Sequence, residues 1–271
     1  MRFPEPLQRA QLVFEFRLFK ISVRQFAERF KGEMISLNST ISYYCSPSPL
    51  TEEELKDYLQ EPMAALPPSI AKALPKISIL LVPYIERTSQ REQGKGRAES
   101  TEYVSVAKPP EGRRSNSTQV KMGDETVMAF ALKDSEVAEY HYRLYHLLAA
   151  LIGELWPEEI ETQFSRLLRE ELTADAHGEV DEEGWRLKQG LRRTKSGGLS
   201  ANGAKPFRAY AKQAFIDTLT LYLHGICCDI DVDTGPRQLP SRFLRKRLLL
   251  VEELFPLPEG YALFPDQMKQ P

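Results

Sequence analysis

Tyr142-Arg143-Leu144-Tyr145-His146 lies inside an apolar run from His141 to Trp156. Val137, Leu144, Leu147, Leu148, Leu151, Ile152 and Leu155 recur there at steps of mostly three and four, which predicts one apolar helical face. Asp134 or Ser135 can cap this helix, and Glu136 and Glu139 suit its N-terminal dipole. Upstream the period changes. Ile77-Ser78-Ile79-Leu80-Leu81-Val82 is short, rich in branched apolar residues and closed by Pro83, so it reads as a buried strand. Tyr103 to Ala107 alternates as another strand, and Gln119–Met122 with Thr126–Leu132 predicts a hairpin around Gly123-Asp124.

Further out, Pro157 starts a helix carrying Ile160, Phe164, Leu167, Leu168 and Leu172, and Gly178 and Gly184 break or bend the chain beyond it. Phe207–His224 and Ser241–Leu254 read as helices, separated by a loop at Asp229–Leu239. Leu12, Phe16, Phe19, Val23, Phe26 and Phe30 place a helix near the N-terminus. Thr51 to Glu54 fits a capping box, and that helix is expected to stop near Glu61, before Pro62. A short helix spans Leu66 to Leu74. Thr88–Ser100, Pro109–Thr118 and the Gly/Ser/Lys-rich Thr194–Lys205 read as loops. The expected class is α+β, a small mixed sheet in the first half packed on a largely helical second half. Residues 1–45 form an N-terminal helix and strand segment, and 46–271 the main α+β domain with a helical C-terminal part, together one compact unit.

At 271 residues, 42% hydrophobic and 27% charged, the chain can build its own core without staples. A net charge of −2 gives no global pull towards nucleic acid or membrane. Cys45, Cys227 and Cys228 form no C-x-x-C pair, and Met1-Arg2-Phe3-Pro4-Glu5 lacks the order of a signal peptide, so a reduced cytoplasmic setting is expected. No apolar run is long enough for a membrane span. The charge is unevenly spread: Arg186 to Lys212 holds eight basic residues and no acidic one.

Tyr142 to His146 stands where a zinc peptidase would read H-E-x-x-H, with only the second histidine present. Glu171-Leu172-Thr173-Ala174-Asp175 reads E-x-x-A-D, 25 residues after His146. From about Leu66 to Asp175 the chain thus resembles the zincin-like metallopeptidases of the glutamate type. The resemblance implies a zincin-like fold, Glu171 as the equivalent of the third metal ligand and Asp175 as its companion. It also implies lost chemistry. The general-base position holds Arg143, which stays protonated and cannot take a proton from water. Tyr142 replaces the first ligand. His141 does not restore the pair, because residues five apart diverge by about 140° around a helix.

The expected function is therefore a catalytically degenerate binding or regulatory module for a protein or small-molecule ligand. One alternative is a metal-dependent hydrolase with another ligand set, zinc on His146, Glu171 and His177. Another is a module that binds nucleic acid or another polyanion through the stretch 186–247, with Arg192, Arg193, Lys195, Lys205, Arg208, Arg245 and Lys246 as contacts. The plainer alternative makes His146 a partly buried core histidine and Glu171 and Asp175 surface carboxylates.

Overall fold

The computed structural model describes residues 20–47, 49–89, 100–193, 201–227 and 237–264. Strands fill the first half of the chain and helices the second. By its contacts the chain divides into Met1–Gln60 with Pro75–Tyr140, a sheet unit, and Glu61–Leu74 with His141–Pro271, a helical unit.

In chain order, β1 (Ile21–Ser22) runs into α1 (Val23–Phe30), followed by β2 (Ile35–Ser36) and β3 (Ile41–Cys45). The part of the predicted Leu12–Phe30 helix before Lys20 lies outside the described residues, and Ile21–Ser22 is a strand instead. α2 (Glu52–Leu55) carries the predicted capping box: the Glu54 N–H donates to Thr51 Oγ1 (3.2 Å) and the Thr51 N–H donates to Glu54 Oε2 (2.8 Å). The helix does not stop at Pro62. A π turn over Lys56–Gln60 resets the bonding ladder and puts Pro62 in the first turn of α3 (Glu61–Ala64), where a missing N–H does little harm. α4 (Pro68–Ala73) comes next. Then come β4 (Lys76–Val82), β5 (Tyr84–Ser89), β6 (Ser100–Ser105), β7 (Arg114–Ser115), β8 (Ser117–Met122) and β9 (Glu125–Ala131). The helices α5 (Val137–Leu155), α6 (Glu158–Thr173), α7 (Glu182–Arg193), α8 (Ala201–Cys227) and α9 (Ser241–Leu254) complete the chain.

Within the sheet unit, a five-stranded mixed sheet has the order β2-β3-β4-β9-β8, with β4 parallel to both β3 and β9. A central parallel strand is covered on both faces, which is why Ile77–Val82 is apolar apart from Ser78, itself buried. The hairpin β8–β9 turns at Gly123-Asp124, with Met122 opposite Glu125. A second, four-stranded sheet has the order β1-β6-β5-β7. The chain passes between the sheets at Pro83, which has no N–H to offer a ladder. α1 sets Val23, Phe26, Ala27 and Phe30 against Leu80, Val82, Val127, Ala129 and Ala131. Its cap is reciprocal, with the Gln25 N–H on the Ser22 hydroxyl and the Ser22 N–H on Gln25 Oε1. Each ring so buried contributes about 1.5–3 kcal/mol. β5 has no counterpart in the sequence reading, because Glu86 and Arg87 disguise its alternation.

In the helical unit, α8 is the hub. Tyr210, Ala211, Ala214, Phe215, Asp217, Thr218, Leu219, Thr220 and Tyr222 are all buried, so it is enclosed on every side. Phe215 meets Trp156, Phe164 and Phe255. α8 starts at Ala201, so the predicted Thr194–Lys205 loop is already helical at its end; residues 194–200 lie outside the described residues. Gly184 does not break α7; it lets the helix approach α8, and a Cβ there would stand 2.9 Å from Asp217 Oδ2. Gly178 does turn the chain, at φ 78°, and a Cβ there would collide with the Gln238 carbonyl at 2.1 Å. The Asp229–Leu239 loop lies mostly outside the described residues.

Candidate functional site

α5 presents Tyr142 and His146 one turn apart, with ring planes 14° from parallel. Tyr142 also meets the His224 ring of α8 edge-on at 5.7 Å. Thr220 of α8 donates its hydroxyl proton to the Ile216 carbonyl (2.8 Å), so its oxygen is left to accept from His146 Nδ1, 3.4 Å away. That assigns the proton to Nδ1 and the lone pair to Nε2. Burial pushes the His146 pKa down, against an upward pull from Asp181, so the ring is neutral near pH 7. Burial, with Asp181 and Asp217 adding to it, raises the Tyr142 phenol to about 12, so it is no phenolate ligand at neutral pH. Arg143 beside them is half-buried. His141 is buried, with Nδ1 3.9 Å from the Cys227 sulfur.

Glu171 is not a surface carboxylate. It is 1% exposed on α6 and accepts from Arg247 of α9, Nε to Oε1 at 3.0 Å and Nη2 to Oε2 at 2.6 Å. The same guanidinium holds Glu179, Nη1 to Oε2 at 2.7 Å and Nη2 to Oε1 at 2.9 Å. Lys188 of α7 donates to Glu179 (3.0 Å) and to the Gly178 carbonyl (2.8 Å), and the Tyr210 hydroxyl donates to Glu179. Two carboxylates thus balance two cations in the interior. Burial alone would raise Glu179, but Arg247 and Lys188 hold it at about 2. Burial pulls Lys188 down, opposed by Glu179.

Asp175 is exposed in the left-handed region (φ 51°) and accepts from Arg192 Nη2 at 2.8 Å. His177 is exposed. Among the described residues, no three His, Cys, Asp or Glu side chains gather as a metal-holding group, so His146, Glu171 and His177 are not brought together as one.

The described members of the basic stretch have different settings. Lys188 and Arg247 are interior, Arg186 pairs with Glu182 and Glu183, and Arg208 pairs with Glu161 (2.8 Å). Arg245 lies 4.3 Å over the Phe264 ring, while Lys205 and Lys246 are exposed. The Arg193 side chain and Lys195 lie outside the described residues.

Sequence reasoning missed Arg247, Glu179, Lys188, Tyr210 and Asp217. A signal for Arg247 existed: Phe243, Leu244, Leu248 and Val251 share its face at helical spacing. Asp217 sits in α8 with Oδ1 accepting from Gln213 (2.8 Å) and Oδ2 buried with no hydrogen-bond partner. Among the described residues no helix is long and apolar enough to cross a membrane. No protein-family model, curated protein or solved structure matches this chain.

Proposed function

We propose that this chain is a zincin-like scaffold without hydrolytic chemistry, serving as a binding or regulatory module for a protein or small-molecule ligand. One observation carries the reading: Glu171, which the resemblance makes the equivalent of the third zinc ligand, is clamped by Arg247 in a buried ion network. Held by a bidentate guanidinium, with no metal-holding group of three ligand side chains among the described residues, Glu171 serves as the counter-ion of Arg247. The His146 corner agrees with this. Tyr142 is a neutral phenol stacked on the imidazole, and Arg143 in the general-base position cannot accept a proton. The order of the chain also supports the scaffold, since a mixed sheet ending in the β8–β9 hairpin leads straight into the His146 helix. The polyanion alternative has lost Lys188 and Arg247 to the interior.

The test is the metal content of protein purified without added zinc, measured by plasma mass spectrometry on the wild type and His146→Ala, alongside hydrolysis of an unstructured protein substrate. Substoichiometric metal in both and no hydrolysis is the expected result. Near-stoichiometric zinc that His146→Ala removes would overturn the reading and favour the hydrolase alternative.

A further inference from the structure

Asp217 plays no part in the zincin-like reading, and its setting within the helical unit is unusual. It is 2% exposed, and its Oδ2 has no donor. Every packed element brings something to it. Its own helix, α8, brings the Gln213 amide; α7 brings the bare backbone of Gly184. The segment before α7 brings two acids, Glu179 and Asp181, and α9 brings Arg247. α5 brings the neutral Tyr142 phenol. Arg247 does not serve Asp217 directly, because its nitrogens are directed at Glu171, Glu179 and Tyr210.

A neutral carboxyl fits this space as a small polar filler. An anion does not: Oδ2 would carry charge without a donor, beside two like charges. The relief available is water, and the bare backbone standing against Oδ2 is that of Gly184, at the α7–α8 contact. α7 is a helix of 12 residues whose inner face holds the buried Gly184 and Lys188.

We propose that Asp217 is a proton-operated latch between α7 and α8: protonated, it lets α7 close on α8 at Gly184; ionised, it admits water and lifts the first turns of α7. Burial raises its carboxyl from the ordinary 3.8 to about 7; Gln213 and Arg247 pull it down, and Asp181 and Glu179 push it up. The sign follows from proton linkage. The closed form binds the proton more tightly than the open form, so closure is complete below the ordinary carboxylate range. It weakens as pH rises towards about 7 and then levels off. The latch would make the helical unit respond to pH around neutrality, whatever it binds.

Amide hydrogen exchange on the full chain tests this, read by mass spectrometry between pH 5 and 8 and corrected for intrinsic exchange. Peptides within 182–193 are expected to lose protection by on the order of tenfold between pH 5 and 7. Peptides within 76–82 should hold theirs. Asp217→Asn keeps the shape and removes the charge, so it should flatten the profile; Asp217→Ser serves if the amide variant does not fold. A flat wild-type profile, or an unchanged slope in a neutral variant, overturns the latch. Metal content has no bearing on either result, so the zinc-free reading can fail without it.

Discussion

The sheet unit and the helical unit bury side chains by different rules. In the sheet unit the face under α1 is apolar, and the ion pairs Lys20–Glu86, Arg87–Glu102 and Lys31–Glu125 each keep one partner at least half exposed. The helical unit encloses Arg247, Glu171, Glu179 and Lys188 almost completely, with Asp217 close by. Apolar burial tolerates truncation in proportion to what is removed. An interior ion network is asymmetric: intact it adds little net stability, but with one member gone it strands the rest. The helical unit should therefore be the brittle, pH-sensitive half of the molecule.

The largest expected effect comes from removing Arg247. Arg247→Ala leaves Glu171 and Glu179 buried without their main counter-charge, which should destabilise the helical unit by about 3–5 kcal/mol. Both tryptophans, Trp156 and Trp185, belong to that unit, so urea unfolding followed by tryptophan fluorescence reports it selectively. Joint replacement by Arg247→Leu, Glu171→Met, Glu179→Met and Lys188→Met should regain most of the loss, because no charge is then stranded. A cost below about 1 kcal/mol for Arg247→Ala would mean a solvated network and erase the contrast.

A smaller effect, with two signs, is expected from pH. Glu179 is held at about 2, below its ordinary 4.5, so its contribution is full above 4.5 and is lost as pH falls towards 2. Asp217 is raised, so its contribution is full below 3.8 and is lost as pH rises through about 7. The urea midpoint of the helical unit should therefore peak near pH 4 to 5. Asp217→Asn should remove the fall above the peak and keep the acid fall. Exchange protection in the β4 region, which belongs to the sheet unit, should not track the same curve.

The two units are also unequally legible. Ile77–Val82, the β8–β9 turn and the Thr51 cap each rest on a local signal: a short run apolar but for Ser78, a two-residue turn, or a capping pair three apart. β5 is hidden because Glu86 is buried in a strand yet looks solvated in the sequence. In the helical unit the informative partners are far apart, Arg247 lying 76 residues from Glu171. No spacing rule links them, and Arg245-Lys246-Arg247 reads as one basic surface run although its last member faces the core. The resemblance singles out Glu171 as a ligand equivalent, yet the residue that holds it stands near the end of a stretch that charge counting reads as a polyanion contact. A charged residue at the centre of an otherwise apolar helical face is the available clue, and charge counting conceals it.

The smallest expected effect lies in the sheet unit, where it tests whether local signals there stay local. Thr51→Ala removes the hydroxyl that accepts from the Glu54 N–H (3.2 Å) and donates to Glu54 Oε2 (3.0 Å), while the backbone N–H of residue 51 still reaches that carboxylate. Both groups are exposed and water can replace them, so the loss should be about 0.5–1 kcal/mol. Exchange should rise for amides 52–60, where the short α2 runs into the π turn and has few bonds to spare. It should not rise in α7, and tryptophan fluorescence should not register the variant. If it does, the cap also supports the helical unit, and the contrast between a modular apolar half and a coupled ionic half fails where it was expected to be cleanest.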